Sequence, residues 1–272
     1  MGFSIGAIKL FLKRFSNARK IEKFDRLTDK NLNNIDNKMK DGWYTSKIDT
    51  LLEAPGITEK MRSSSMRVKP ASEKRIHLSW DVPNFVIEAV LNSELLRSIV
   101  REYLGPGVRL DDIYVKNIMD GLESASEGWH DDNVGYRLKL FMVFDVEGDP
   151  SGTIVIPTSR PNLYQLNLGD ESSRIFGSIR KEPRGEQKII NYTPGDCLLF
   201  DTNLSHRGDY SSNTGIRYCV IAEFIDRDKA NALRGRAPCG PGQGRLAIHI
   251  PETVKDNPLI DQALYNSQKY GY

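Results

Sequence analysis

Apolar and polar positions change texture about two-fifths of the way along the chain. Between residues 94 and 104, Leu95, Leu96, Ile99, Val100, Tyr103 and Leu104 recur at three- and four-residue spacing. That is the stripe of an amphipathic helix. Asn92 stands where an N-cap belongs, and Gly105-Pro106-Gly107 supplies the stop. From about residue 110 the apolar positions fall into short runs, at 112–118, 125–131, 138–146, 152–157, 187–192, 197–200 and 217–225. Turn-forming stretches such as Glu147-Gly148-Asp149-Pro150 and Pro194-Gly195-Asp196 separate them. Seven or eight short strands after a helical lead predict a mainly β fold with flanking helices. The expected architecture is a double-stranded β-helix (jelly roll, cupin-like), with the amphipathic helix buried against a sheet.

A chain of 272 residues accommodates this as a single domain, 1–272. Its parts would be a helical segment at 1–40, a jelly-roll core at 110–226 and a C-terminal wrap at 229–272. Residues 41–83 are mixed, and Arg62–Arg67 reads as a mobile loop. The polar insert at 158–186 has the length of a lid over a site. Ile5, Ile8, Leu12 and Phe15 form a stripe among Lys9, Lys13 and Arg14. Docking on the protein's own surface is the favoured reading of that stripe. Peripheral membrane contact through residues 5–20 is the other.

Composition narrows the function classes. Apolar residues make up 39% and charged residues 27%, as in ordinary soluble proteins. A formal net charge of +2, with no basic block interleaved with aromatics, argues against nucleic acid as a partner. No run approaches the roughly 20 apolar residues of a membrane span. The three cysteines, Cys197, Cys219 and Cys239, suit neither a disulfide framework nor a zinc site. Two of them sit in apolar runs, which points to a reducing, cytoplasmic setting.

Candidate chemistry centres on histidine, of which there are four: His77, His130, His206 and His249. In an extended strand, His130 and Asp132 point to one face while Asp131 points to the other. Two imidazoles and one carboxylate on one face of a metal leave positions open for a co-substrate and O₂. His206 follows the run Cys197-Leu198-Leu199-Phe200 and is the second candidate imidazole. Taken singly, each fits a bland reading: a solvated strand end for His130-Asp131-Asp132, a core or surface histidine for His206. Arg217 opens the apolar run Tyr218–Ala222. A buried arginine there needs a carboxylate, supplied either by the protein or by a dicarboxylate ligand.

Together these elements resemble the phytanoyl-CoA dioxygenase family of Fe(II)/2-oxoglutarate oxygenases. The resembling segments are Gly128-Trp129-His130-Asp131-Asp132, Gly152-Thr153-Ile154-Val155-Ile156-Pro157, Pro194-Gly195-Asp196-Cys197-Leu198-Leu199-Phe200, and His206 through Arg217. The resemblance implies that His130, Asp132 and His206 hold Fe(II) and that Arg217 binds the far carboxylate of 2-oxoglutarate. It places Phe141 against the co-substrate, although the residue pattern alone makes Phe141 a core position. Lys116 and Lys139 are further anion contacts or, on pattern, solvated strand residues. Trp129, Phe141 and Phe200 would wall the site. Two segments depart from the family: Thr158-Ser159-Arg160 after Pro157, and Arg207-Gly208-Asp209 after His206. Asp132 is intact, which favours hydroxylation over halogenation. The expected activity is therefore hydroxylation of a C–H bond of a small-molecule substrate, with Fe(II), 2-oxoglutarate and O₂ consumed to give succinate and CO₂. The competing readings are a protein or peptide hydroxylase, a membrane-surface oxygenase acting on a lipid or glycolipid, and a non-catalytic β-sandwich that binds a ligand.

Overall fold

The computed structural model describes residues 37–39, 41–71, 76–119, 129, 137–157, 185–202, 204–209, 215–226, 250–263 and 265–266. Among the described residues, nine strands form two antiparallel sheets. They are β1 (Trp43–Lys47), β2 (Ile76–Ser79), β3 (Val108–Met119), β4 (Arg137–Gly148), β5 (Thr153–Val155), β6 (Lys188–Ile190), β7 (Asp196–Asp201), β8 (His206–Gly208) and β9 (Gly215–Asp226). The large sheet runs β1-β7-β4-β9-β3-β2, and the small one β6-β5-β8. The order β7-β4-β9-β3 facing β6-β5-β8 is that of seven of the eight strands of a double-stranded β-helix. The chain between β3 and β4, apart from Trp129, lies outside the described residues.

Alternation along the long strands explains why two layers form. On β9, Ile216, Tyr218, Val220, Ala222 and Phe224 share one face. That face joins Leu138, Leu140, Met142 and Phe144 of β4 and Leu199 of β7 in the main core. Four helices lie before β3: α1 (Ile48–Leu51), α2 (Ile57–Arg62), α3 (Asn84–Asn92) and α4 (Glu94–Leu104). Val86, Ile87, Val90 and Leu91 of α3, and Leu96, Ile99, Val100, Tyr103 and Leu104 of α4, complete the same core. The opposite face of the large sheet looks into the roll. A register shift between Val143 and Asp145, where β4 pairs with β9, marks a bulge. It turns Asp145 towards the helical side, where Arg62 (3.2 Å) and Arg67 (2.5 Å) pair with it.

Several details differ from the sequence expectations. Asn92 is the last residue of α3, and Ser93 is the cap of α4. The Ser93 hydroxyl accepts from the Leu96 amide at 2.9 Å and donates to the Leu51 carbonyl at 2.8 Å. Asn92 was one position early because two helices abut there, and an exposed amide looks like a cap in sequence. Arg62–Arg67 is pinned rather than mobile: besides the Asp145 pairs, Asn117 donates to the Met66 carbonyl at 2.8 Å. Strands β1, β2 and β8 were not anticipated, being three to five residues long with mixed polarity. The described part of the C-terminal segment contributes Ile250, Val254, Leu259, Ile260 and Tyr265 to the main core. Most of the helical segment expected at 1–40, most of the strand at 125–131 and most of the insert at 158–186 fall outside the described residues. No helix among the described residues is long and apolar enough to cross a membrane.

Ser93→Ala is expected to cost about 1–2 kcal/mol by urea denaturation, the loss of a helix cap whose hydroxyl also holds α1. Asn92→Ala should stay within about 0.5 kcal/mol. Equal losses from the two variants would contradict the Ser93 assignment.

Candidate metal and co-substrate site

The interior of the roll is lined from both sheets. Val143, Tyr192, Leu198, Phe200 and Cys219 form its buried apolar cluster, with Trp43, Phe141, Val146 and Ile190 packed against them. Phe141 meets Phe200 edge-on, with ring centroids 5.3 Å apart. Phe141 therefore does occupy the interior, as part of the wall and partly buried. Cys219 sits in this cluster, whereas Cys197 belongs to the helical side; both are buried free thiols. Burial pushes the Cys197 thiol up to about 12.

β8 brings His206 into this interior. Pairing of His206 with Val155, and of Gly208 with Thr153, puts these residues on one face of the small sheet. Tyr192 confirms which face that is, since its hydroxyl donates to Thr153 Oγ1 at 2.8 Å from within the interior cluster. The His206 ring stands edge-on to Phe200, 5.0 Å between centroids. Its Nδ1 lies 2.8 Å from the Leu204 carbonyl oxygen. A carbonyl only accepts, so Nδ1 carries a proton, and in the neutral ring Nε2 is the nitrogen with the lone pair. A backbone partner of this kind is what orients a metal-binding imidazole.

Arg217 enters from β9. Pairing with Val146 of β4 and Ile118 of β3 holds its backbone in mid-sheet. The residue is 3% exposed. Its Cζ lies 5.6 Å from the Tyr192 ring centroid, and its Nε is buried with no hydrogen-bond partner. No carboxylate among the described residues pairs with it. A buried guanidinium facing aromatic carbon, with donors unspent, is a costly arrangement unless an anion completes it. Burial raises the Tyr192 phenol above its ordinary range, while the Arg217 charge pulls the other way. Tyr192 therefore stays a neutral hydrogen-bond donor at physiological pH.

A second charged group lies further along β9, which sequence reasoning missed. Glu223 is buried and pairs with Arg137 and, at 3.6 Å, with Lys139. The Tyr114 hydroxyl donates to Glu223 at 2.9 Å. Glu223 is six residues from Arg217, about 20 Å along an extended strand. Lys139 is opposite Phe200 in the register, so this group stands on the His206 side of the interior. Lys139 is thus not a solvated strand residue. The signal was present: an isolated acid in Val220–Ile225, and Arg137 and Lys139 alternating with Leu138 and Leu140. Lys116 pairs with Leu78 at the β2 edge and is half-buried.

Trp129 was expected to wall the site, but it packs elsewhere. Its cluster partners are Ile154 and Ile156, and Arg207 lies over its ring. Ile154 pairs with Arg207, one residue out of phase with the Val155–His206 pair. Trp129 therefore covers the back of the small sheet. His130 and Asp132 lie outside the described residues. Among the described residues no three His, Cys, Asp or Glu side chains converge on one point.

No family model matches the sequence, and no curated protein does. Solved structures with a related arrangement include the non-heme α-ketoglutarate-dependent epimerase SnoN from nogalamycin biosynthesis, at 14% identity over 72% of this chain and 83% of that one (TM-score 0.49). HygX from Streptomyces hygroscopicus, solved with nickel, 2-oxoglutarate and hygromycin B, shows 15% identity over 68% and 83% of the two chains (TM-score 0.46). EctD from S. alaskensis shows 16% identity over 71% and 76% (TM-score 0.44). At such low identity and overlap, the chemistry of this chain has to be read from its own residues.

Arg217→Met replaces an unanswered buried charge with an apolar side chain of similar length. The ligand-free protein should keep its stability or gain some, measured by urea denaturation. A loss of about 3–5 kcal/mol, as when one half of a buried ion pair is removed, would reveal a protein acid paired with Arg217.

Proposed function

We propose that the chain is an Fe(II)- and 2-oxoglutarate-dependent dioxygenase that hydroxylates a C–H bond of a small molecule, releasing succinate and CO₂. The observation that carries this reading is Arg217, a guanidinium buried in the interior of the roll with no acid partner among the described residues. A dicarboxylate is the ligand that answers it, one carboxylate held by the planar fork and the other left for the metal. His206 supplies an imidazole on the facing sheet whose tautomer leaves Nε2 for coordination. His130 and Asp132 are the proposed remaining ligands, on the sequence argument that one face of an extended His-x-Asp presents both. Bound Fe(II) with 2-oxoglutarate would supply the O₂ activation and C–H oxidation, which protein side chains alone cannot perform.

The chain's own residues have definite tasks in this reading. Arg217 holds and orients the co-substrate. Tyr192 donates its hydrogen bond to Thr153 and packs against the guanidinium, keeping water from it. Phe141, Phe200 and Cys219 keep the interior apolar between the two charged ends. The Glu223–Arg137–Lys139–Tyr114 group makes the His206 end polar, which supports a substrate with polar or charged groups over an acyl chain. The buried free thiols support a reducing, cytoplasmic compartment. Residues 1–272 are read as one oxygenase domain.

Anaerobic Fe(II) with 2-oxoglutarate should give the weak visible charge-transfer band of the chelate on the wild-type protein. Succinate release over a panel of polar small molecules then reports turnover. His130→Ala, Asp132→Ala and His206→Ala should each abolish both signals. Arg217→Ala should weaken 2-oxoglutarate binding about 10–100-fold, the worth of one or two charge-assisted hydrogen bonds. A wild-type protein with no band and no 2-oxoglutarate-dependent rise in Tm would refute the assignment.

A further inference from the structure

Trp129 and Arg207 form a contact that the proposed chemistry does not use. β8 is three residues long, and among the described residues it pairs with β5. Its middle residue, Arg207, points away from the interior, opposite in sense to His206. There its Cζ stands 5.1 Å from the centroid of the Trp129 ring, and its Nε is buried without a hydrogen-bond partner. No carboxylate among the described residues pairs with it; among these residues the indole face is the group that meets this charge. Such a cation–π contact strengthens as water is excluded, and Trp129 is buried on Ile154 and Ile156. The two partners are 78 residues apart, so the contact is a long-range tie. Each is the sequence neighbour of a proposed metal ligand: Trp129 precedes His130, and Arg207 follows His206.

We propose that Arg207 and Trp129 are a positioning pair for the metal site, with Trp129 clamped to the back of the strand that carries His206. The inference rests on the ligand assignment above. Neither side chain touches the metal; both act through the backbone of their neighbours. A three-residue strand gives an imidazole little rigidity by itself, and a ligand set needs its donors held within fractions of an ångström. Arg207 is the cation that seats Trp129.

The test uses the full-length protein and Mn(II) as the probe, with dissociation constants from calorimetry and Tm from metal-free samples. Arg207→Met keeps length and apolar contact but removes the charge; Arg207→Lys keeps a charge; Trp129→Phe keeps a weaker ring face. Arg207→Met is expected to weaken Mn(II) binding about tenfold or more, the scale for residues that orient a ligand, with metal-free Tm little changed. Arg207→Lys should recover most of the affinity. Trp129→Phe should fall between, and Arg207→Met with Trp129→Phe should be no weaker than Arg207→Met alone. Wild-type affinity in Arg207→Met overturns the proposal. So does a parallel fall of Tm and affinity that Arg207→Lys does not rescue, which is a purely structural contact. If Arg207→Met fails to fold, Arg207→Lys and Trp129→Phe carry the same comparison. His206→Ala is the control that separates the two claims. If it binds Mn(II) like wild type, the ligand assignment fails and the clamp fails with it. If it loses binding while Arg207→Met and Trp129→Phe do not, only the clamp fails.

Discussion

β9 has no face turned to water, and most of the molecule follows from that. It lies between β3 and β4 in the large sheet, and all twelve of its residues are buried. One face meets the helices and the other meets the roll interior. A strand covered on both sides is usually a continuous apolar run, because each polar side chain there must find a partner or pay for its lost hydration. β9 satisfies this on its helical face with Ile216, Tyr218, Val220, Ala222 and Phe224. On the interior face it breaks the pattern twice, with Arg217 and Glu223. Both exceptions point into the interior of the roll.

The two exceptions are resolved differently, and that asymmetry gives the interior its direction. Glu223 has Arg137, Lys139 and Tyr114 around it, so its charge is answered by the protein. Arg217 has a ring face and no acid among the described residues. Removing the hydration of an ion costs several kcal/mol in a real protein interior, and aromatic contact recovers only part of it. At one end of the interior the charge is paired by protein groups; at the other no acid among the described residues pairs with the guanidinium. His206, on the facing sheet, stands beside Phe200, at the Glu223 end.

Sequence reading reached the architecture because long strands advertise themselves. β4, β7 and β9 were legible from apolar runs bounded by Gly, Pro and Asp, and α4 from its stripe. β1 and β2 were not, since they lie at sheet edges with one side open and need no consistent pattern. β8 was missed for another reason: a strand of three residues has too few positions to show alternation. Arg217 and His206 were legible as chemistry because charged and imidazole groups beside apolar runs are conspicuous. Glu223 was equally conspicuous in kind, but its partners Arg137 and Lys139 lie more than eighty residues away. Only the pairing of β4 with β9 brings them together. Trp129 was assigned to the wrong side because sequence adjacency to His130 says nothing about which face of a sheet an aromatic covers. The face was set by Ile154 and Arg207, whose register with β8 is a tertiary fact.

The two sheets differ in how firmly they can hold a ligand. The large sheet has six strands and a helical layer behind it, so a side chain on β9 inherits the rigidity of the whole core. The small sheet has three described strands of three residues each, of which β8 carries His206. Backbone pairing over so short a length is marginal without packing on both faces. Tyr192 and Val155 supply that packing from inside the roll, and Trp129, Ile156 and Arg207 from outside. The outer packing is therefore part of the site's geometry even though none of it faces the interior. A position on the back of a thin sheet governs the placement of a group on its front, because the backbone between them is one residue thick.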